Sequence, residues 1–249
     1  RHLLLLTGTL LPESNSQIYH QLWVSPYTPY KVYKNFYQWH KVFGTPKTVY
    51  TSYGEAKDYS VVDYDKIKTI VDSIKVSFTQ EEAGFTSTVK EHIINIDMLP
   101  STYKLIDKLK KDNVIEGKDE IILADTGVKL MSKVHQLSSG TIKFESSNKK
   151  VLDYSKSEYI KENFQGNKHI ALQIVSGREG INLSAADVLI YYNIDFSAVS
   201  YWQSRDRLTT KDRLSNSVYW LFSKGGIEHK IYKSVLNKKN FTLQTFTND

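Results

Sequence analysis

The sequence contains no cysteine, so disulfide bonds and thiolate metal sites are excluded from this protein. It also has no apolar stretch near the roughly 20 residues that a membrane-spanning helix requires. The most apolar run, residues 2–11, is too short for such a helix and lacks the flanks of a signal peptide. We therefore predict a cytoplasmic protein without a membrane partner.

Two further absences concern nucleotide and metal chemistry. The sequence has no Gly-x-x-x-x-Gly-Lys-Ser/Thr loop, which holds phosphates in motor ATPases, and no Asp-Glu-x-His box, which holds their Mg²⁺. None of the seven histidines lies at metal-ligand spacing from another histidine or from an acidic cluster. We predict no metal site in this chain, and we expect that the chain alone does not hydrolyse ATP.

The amino-acid composition is that of an ordinary globular protein. The 249 residues are 40% hydrophobic and 24% charged, which allows one large domain or two small ones with a sizeable core. The net charge is +6, and residues 201–239 account for all of it, with nine basic and three acidic residues. Such a local excess suits the phosphates of a nucleotide or of a nucleic-acid backbone. A solvated basic helix face is the alternative explanation.

The order of the apolar segments predicts the fold class. The patterns of the second half predict strands at residues 169–175, 188–194 and 217–222 and a helix at 226–236. Strands that alternate with helices are typical of an α/β fold with a parallel sheet. Elsewhere the patterns predict helices at 17–23, 63–76, from Pro100 onwards, at 121–137 and at 155–164, and strands at 3–6 and 89–96. Residues 138–151 are predicted to form a hairpin or a loop. The aromatic residues within 27–39 favour core packing over base stacking.

A glycine-containing loop follows the strand predicted at residues 169–175. The loop spans residues 176–183 and includes Gly177 and Gly180. Glycines allow backbone N–H groups to approach a phosphate closely, and ligands of open α/β sheets bind beyond the carboxyl ends of strands. The loop alone is equally compatible with a plain strand-to-helix turn.

Arginines are concentrated in the segment after the next predicted strand. Gln203 and Arg207 are four residues apart and therefore share one helix face, whereas Arg205 points elsewhere. The planar guanidinium group stays charged and donates several hydrogen bonds, which suits a phosphoryl group during transfer. A surface helix with internal ion pairs is the alternative.

The succession of these segments resembles motifs V and VI of superfamily 2 helicases, and most closely those of Swi/Snf-type helicase-like ATPases. The residues that carry the resemblance to motif V are Gly180, Asn182, Leu183, Ala186, Asp187, Leu189 and Ile190, and those for motif VI are Gln203, Asp206 and Arg207. Residues 7–9, Thr-Gly-Thr, resemble motif III, with Leu10 in place of the usual proline. Glu228 and Ile231 match the segment that follows motif VI. The similarity is strongest to phage-borne or bacterial proteins.

The resemblance implies a RecA-like fold of the P-loop NTPase type. Residues 1–85 would form the end of a first RecA-like lobe with its connector, and residues 86–249 the second lobe, a parallel sheet flanked by helices. It implies an ATP-dependent DNA helicase or translocase, with ATP and Mg²⁺ as cofactors, DNA (double-stranded) as partner, and an N-terminal RecA-like lobe upstream of this chain. The alternative is a nucleic-acid-binding or regulatory lobe without ATPase activity.

The resemblance also implies residue roles. Arg207 is the first candidate for the arginine that acts on ATP and Arg213 the second, with Gln203 beside them, and Gly180 and Arg207 are expected at one edge of a nucleotide-binding groove. The residues implied in nucleotide binding are Gly177, Gly180, Asn182, Thr7, Gly8 and Thr9, and those implied in nucleic-acid binding are Arg178, Arg205 and Lys211. The sequence differs from the family pattern in two places that concern these roles. Thr210 replaces the second arginine of motif VI, and the helix–strand unit of the family is absent after Leu172.

Overall fold

The chain folds into two compact units, Arg1–Ala83 and Gly84–Asp249. The computed structural model describes all residues except 1–2, 8–9, 12–13, 52–53, 80, 86–87, 167–168, 173–182, 184–185, 187, 206, 208, 210–214, 238 and 248–249.

Unit 1 is built from short helices and one hairpin around an aromatic core. Its elements are α1 (Gln17–Trp23), α2 (Phe36–Phe43), β1 (Lys47–Thr51), β2 (Gly54–Asp58) and α3 (Tyr64–Ile74). The helices predicted at 17–23 and 63–76 are therefore confirmed. Tyr30 and Trp39 are fully buried and their rings pack together with centroids 5.3 Å apart, which confirms core packing for these two residues, whereas Tyr27 and Tyr37 of the same segment are exposed.

The prediction of a buried strand at residues 3–6 is wrong for the described structure. Leu3, Leu4, Leu5 and Leu6 are 49%, 80%, 50% and 86% exposed, and they adopt no regular secondary structure. A strand forms when a neighbouring strand satisfies its backbone N–H and C=O groups. Within the described residues, no strand pairs with this run.

Unit 2 is an α/β unit with a parallel sheet. Among the described residues the sheet has four strands in the order β3 (Thr88–Ile96), β10 (Ser215–Ser223), β9 (Val188–Tyr191) and β8 (His169–Leu172), and every neighbouring pair is parallel. The remaining elements are α4 (Pro100–Asp112), β4 (Val114–Glu116), β5 (Ile121–Leu123), α5 (Gly127–Ser138), β6 (Thr141–Lys143), β7 (Lys149–Val151), α6 (Ser155–Asn163), α7 (Ala198–Arg205), α8 (Glu228–Leu236) and α9 (Leu243–Thr247). The predicted fold class, α/β with a parallel sheet flanked by helices, is confirmed.

Both faces of this sheet are covered. Leu189, Trp220 and Phe222 lie in the main buried cluster on one face. Ile190 and Leu221, which alternate with them, lie in a second cluster on the other face. Because strands covered on both faces need apolar side chains at nearly every position, they read as continuous apolar runs in the sequence.

A buried carboxylate holds the start of two helices in unit 2. Asp153 accepts hydrogen bonds from the Leu99 N–H (2.7 Å) and the Thr102 hydroxyl (2.6 Å) at the start of α4, and from the Ser155 N–H (2.9 Å) at the start of α6. Burial by itself raises the pKa of Asp153, but the hydrogen bonds from Thr102, Ser155 and Leu99 outweigh it and lower that pKa below its usual value. The charged form is therefore the stabilising one.

Replacing Asp153 with asparagine should lower the free energy of unfolding by about 2–3 kcal/mol at pH 7, because buried donors lose a charged acceptor. The wild-type advantage should be complete above the unfolded-state pKa of about 3.9 and should disappear as the pH falls through the lower folded-state pKa. Urea unfolding of both proteins between pH 7 and about pH 3 measures this. Asp107→Asn on the exposed face of α4 is the control. Equal losses in the two variants at pH 7 would contradict the role of Asp153.

Candidate functional site

The helix that carries Gln203 is held by hydrogen bonds near both of its ends. Helix α7 follows the carboxyl end of β9 and leads back towards β10. At its start the Ala198 N–H donates to Asn240 Oδ1 (2.8 Å), and near its end the Tyr191 hydroxyl of β9 donates to the Ser204 carbonyl (2.8 Å). The bond from Tyr191 holds the end of α7 against β9.

A second anchor joins α7 to the edge strand β3 through Glu91. The Glu91 carboxylate accepts hydrogen bonds from the Tyr201 hydroxyl (2.9 and 2.7 Å) and from Trp220 Nε1 (2.9 Å), and it lies 3.2 Å from Arg205 Nε. The Arg205 guanidinium also lies 4.9 Å from the centre of the Trp202 ring. Burial, followed by the hydrogen bond to Glu91 and the charge of Glu91, raises the pKa of Tyr201. The phenol thus stays a hydrogen-bond donor to Glu91.

Arg207 differs from Arg205 in its surroundings. It lies in the turn after α7, where its N–H donates to the Ser204 carbonyl (3.2 Å), and its side chain is half-buried, as is that of Gln203. The Arg207 Nε atom is buried and has no hydrogen-bond partner within the described part of the chain. A buried donor without a partner costs free energy, and an incoming anion would recover that cost.

The end of the segment that resembles motif V packs against the same core as α7. Leu183 and Ala186 are buried in the main cluster together with Tyr201, and the Ala186 N–H donates to the Leu183 carbonyl (3.0 Å). Thr7 is described and exposed. The other predicted site residues lie outside the described residues, and their roles stay predictions: Gly8, Thr9, Gly177, Arg178, Gly180, Asn182, Lys211 and Arg213.

A buried ion pair lies beyond the carboxyl ends of β9 and β10. Lys156 Nζ is 2.9 Å from Glu228 Oε1, and both side chains are 0% exposed. Lys156 also donates to the Tyr192 carbonyl (3.2 Å), and Glu228 accepts from the Ser223 N–H (3.3 Å) and hydroxyl (3.0 Å). Burial lowers the pKa of Lys156, and the charge and hydrogen bond of Glu228 oppose that shift. The pair joins α6, α8 and the ends of two strands.

Sequence reasoning did not select Glu91 or Lys156, although each carries a signal. Glu91 alternates with Val89 and Ile93, so it points to the same apolar face of β3. Lys156 is four residues before Ile160 and eight before Phe164, which places it on the apolar face of its helix. A charged residue on an apolar face indicates a buried partner.

The described residues contain no group of three or more histidine, aspartate or glutamate side chains that could hold a metal ion. Within the same residues, every helix is too short or too polar to cross a membrane. No protein-family model matches this sequence, and no curated protein matches it.

Proposed function

We propose that this chain is part of an ATP-dependent DNA helicase or translocase of superfamily 2, similar to the Swi/Snf type, and acts in the cytoplasm. Unit 2 is its second RecA-like lobe, and unit 1 is the end of the first lobe with the connector. The parallel sheet of unit 2 and the order of its segments, with an apolar strand β9 followed by the helix of Gln203, support this proposal.

The observation that carries the proposal is the contrast between the two arginines at the end of α7. Both arginines bury their Nε atoms. Arg205 Nε lies 3.2 Å from a carboxylate oxygen of Glu91, in an ion pair whose geometry falls short of a hydrogen bond, whereas Arg207 forms no ion pair with a described residue. A phosphate fits such a donor, because an arginine in a desolvated position stabilises negative charge strongly. Bound ATP with Mg²⁺ supplies the phosphoryl group, and Arg207 holds positive charge beside the γ-phosphate, with Arg213 as the second candidate.

The hydrogen bonds that hold α7 also help to position Arg207. Hydrogen bonds to Glu91, Tyr191 and Asn240 join the helix to β3, to β9 and to the segment after α8. Charge stabilisation in catalysis depends on donors that are positioned before the reaction. Because Arg205 takes part in this anchoring, we assign the DNA contacts to Arg178 and Lys211 and the coupling of nucleotide to DNA to Gly177, Gly180 and Asn182.

The exposed leucines of unit 1 are compatible with this proposal. Four consecutive leucines, Leu3 to Leu6, are 49–86% exposed. A contiguous apolar run of this kind is typical of a surface that another element covers. The remaining strands of the first lobe would cover it, and Thr7, Gly8 and Thr9 would then lie at the nucleotide side of that lobe.

A lobe that binds nucleic acid but does not hydrolyse ATP is the second candidate function. Thr210 replaces the second arginine of motif VI, and comparison of the sequence with the family indicates that a helix–strand unit is missing after Leu172. Loss of an arginine at that position would weaken charge stabilisation on the γ-phosphate.

The whole reading frame of the gene provides the test. We expect it to encode a Gly-Lys-Thr loop and an acidic box upstream of Arg1. We expect the complete protein to hydrolyse ATP faster when duplex DNA is added, while the 249-residue chain alone hydrolyses none. A complete protein that binds duplex DNA but lacks ATPase activity would support the second candidate. DNA-stimulated ATPase activity in the 249-residue chain alone would contradict both.

A further inference from the structure

An open cleft lies between the two hairpins of unit 2, away from the candidate site at α7. Its volume is about 490 Å³, within the range of roughly 300–1,000 Å³ that is common for ligand sites. It is lined by α4, the β4–β5 hairpin and the β6–β7 hairpin through Leu105, Ile115, Gly117, Lys118, Asp119, Glu120, Ile122, Phe144, Asn148, Lys149, Lys150 and Leu152.

The two walls of the cleft are held together by Glu120. One of its carboxylate oxygens accepts from the Ser146 hydroxyl (2.6 Å) and the other from Asn148 Nδ2 (2.6 Å), so it joins the turn of one hairpin to the turn of the other. These two hydrogen bonds lower the pKa of Glu120. A backbone bond from the Glu145 N–H to the Ile121 carbonyl (3.1 Å) joins the same walls. The cleft is therefore a built feature with fixed walls.

The floor of the cleft is apolar and partly open. Ile115 and Ile122 are buried in the main cluster, whereas Leu105, Phe144 and Leu152 pack against that cluster and stay partly exposed. Phe144 is the one aromatic ring in the lining on which a base could stack, and the other apolar lining residues are aliphatic. Their natural occupants are the apolar side chains of another polypeptide.

The rim of the cleft is basic. Lys118, Lys149 and Lys150 are exposed, and no ion pair involves any of them in the described structure. Asp119 and Glu120 also line the cleft, so its lining carries three positive and two negative charges, and the Glu120 carboxylate is already occupied by two hydrogen bonds. Acidic groups of a partner would be attracted to this rim.

We propose that this cleft binds an acidic peptide segment that carries one or two large apolar side chains, which fill the floor while flanking carboxylates meet Lys118, Lys149 and Lys150. In the described chain, β7 pairs with a strand only on its β6 side, so an extended segment can also bond to its open edge. A nucleic acid fits less well, because its backbone offers phosphates for the rim but nothing aliphatic for the floor. The proposal is independent of the function proposed for α7.

Fluorescence anisotropy with labelled peptides of about ten residues tests this proposal. The first probe has Leu and Phe at its centre and Asp or Glu on both sides; the second replaces Leu and Phe with Ser; the third replaces the acidic residues with Ser. We expect saturable binding of the first probe only, weaker at higher salt. The protein variant Lys149→Glu/Lys150→Glu should weaken it by roughly tenfold or more, because two attractive contacts become repulsive.

The matched control is Lys110→Glu/Lys111→Glu, which makes the same charge change at two exposed residues of α4 outside the cleft. It should bind the first probe as the wild type does. Equal weakening in both variants, or equal binding of the first two probes, would show attraction to net charge alone and would overturn the proposal. Binding of a labelled DNA oligonucleotide that depends on Lys149 and Lys150, without binding of the first probe, would also overturn it and assign the cleft to nucleic acid.

Discussion

The Glu228→Gln variant is expected to lower the free energy of unfolding of unit 2 by about 3–5 kcal/mol, because it leaves the buried ammonium of Lys156 without its counter-charge. Both side chains are 0% exposed, so water cannot replace the lost partner. A loss of this size is a large part of the roughly 5–15 kcal/mol that stabilises a typical domain. Urea unfolding followed by tryptophan fluorescence and by circular dichroism measures it.

Two further variants show whether the charge pair itself is responsible. Lys156→Met/Glu228→Gln removes both charges, and it should recover most of the loss, because a neutral pair of similar volume has no uncompensated charge. The exposed pair Lys224–Asp97, 65% and 76% exposed, is the control, and Lys224→Met should cost less than about 1 kcal/mol. If the double variant were no more stable than Glu228→Gln, packing rather than charge would explain the loss.

The Arg207→Ala variant of the complete protein is expected to lower kcat for ATP hydrolysis by about 10³-fold, because the loss of a catalytic arginine typically has an effect of this order. Affinity for duplex DNA should change little. Steady-state ATPase assays with saturating DNA, together with DNA-binding titrations, measure the two quantities separately. The prediction depends on the function proposed above, in which Arg207 holds charge beside the γ-phosphate.

Two comparisons make this prediction specific. Arg205→Ala should mainly reduce stability, because Arg205 is bound to Glu91 and stacks on Trp202 within unit 2. Arg213→Ala is the direct competitor: a larger fall in kcat for Arg213→Ala than for Arg207→Ala would transfer the role to Arg213. If Arg207→Ala kept its ATPase activity within about threefold, the role of Arg207 in the proposed function would be wrong.

Elements whose signals are local were predictable from the sequence. Pro100 marks the start of α4, where its missing N–H has no cost, and the structure confirms the helix from that residue. The alternating pattern at 89–96 predicted β3, which spans Thr88–Ile96. Of the two alternatives predicted for residues 138–151, a hairpin or a loop, the hairpin is present as β6 and β7. In each case the residues that determine the element lie within it.

Elements that depend on a distant partner were not predictable in this way. Residues 121–137 were predicted to form one helix, but their front forms β5, because it pairs with β4 in the register Val114 to Leu123. Helix α5 begins only at Gly127, where the Thr126 hydroxyl accepts from the Lys129 N–H (3.3 Å). Periodicity within a segment carries no information on such pairing.

In the candidate site, too, some features follow from the local sequence and others from contacts between distant segments. The sequence by itself determined the α/β class and the apolar strand β9, because hydrophobic periodicity acts over a few residues. The helix face predicted to be shared by Gln203 and Arg207 was wrong, because α7 ends at Arg205 and Arg207 lies in the turn after it. Only the tertiary structure decided that Arg205 is bound to Glu91, 114 positions earlier in the chain, and that Lys156 is paired with Glu228. Folding brings distant segments of the chain into contact. Only these contacts determine which charged side chains are buried and which residues neutralise them.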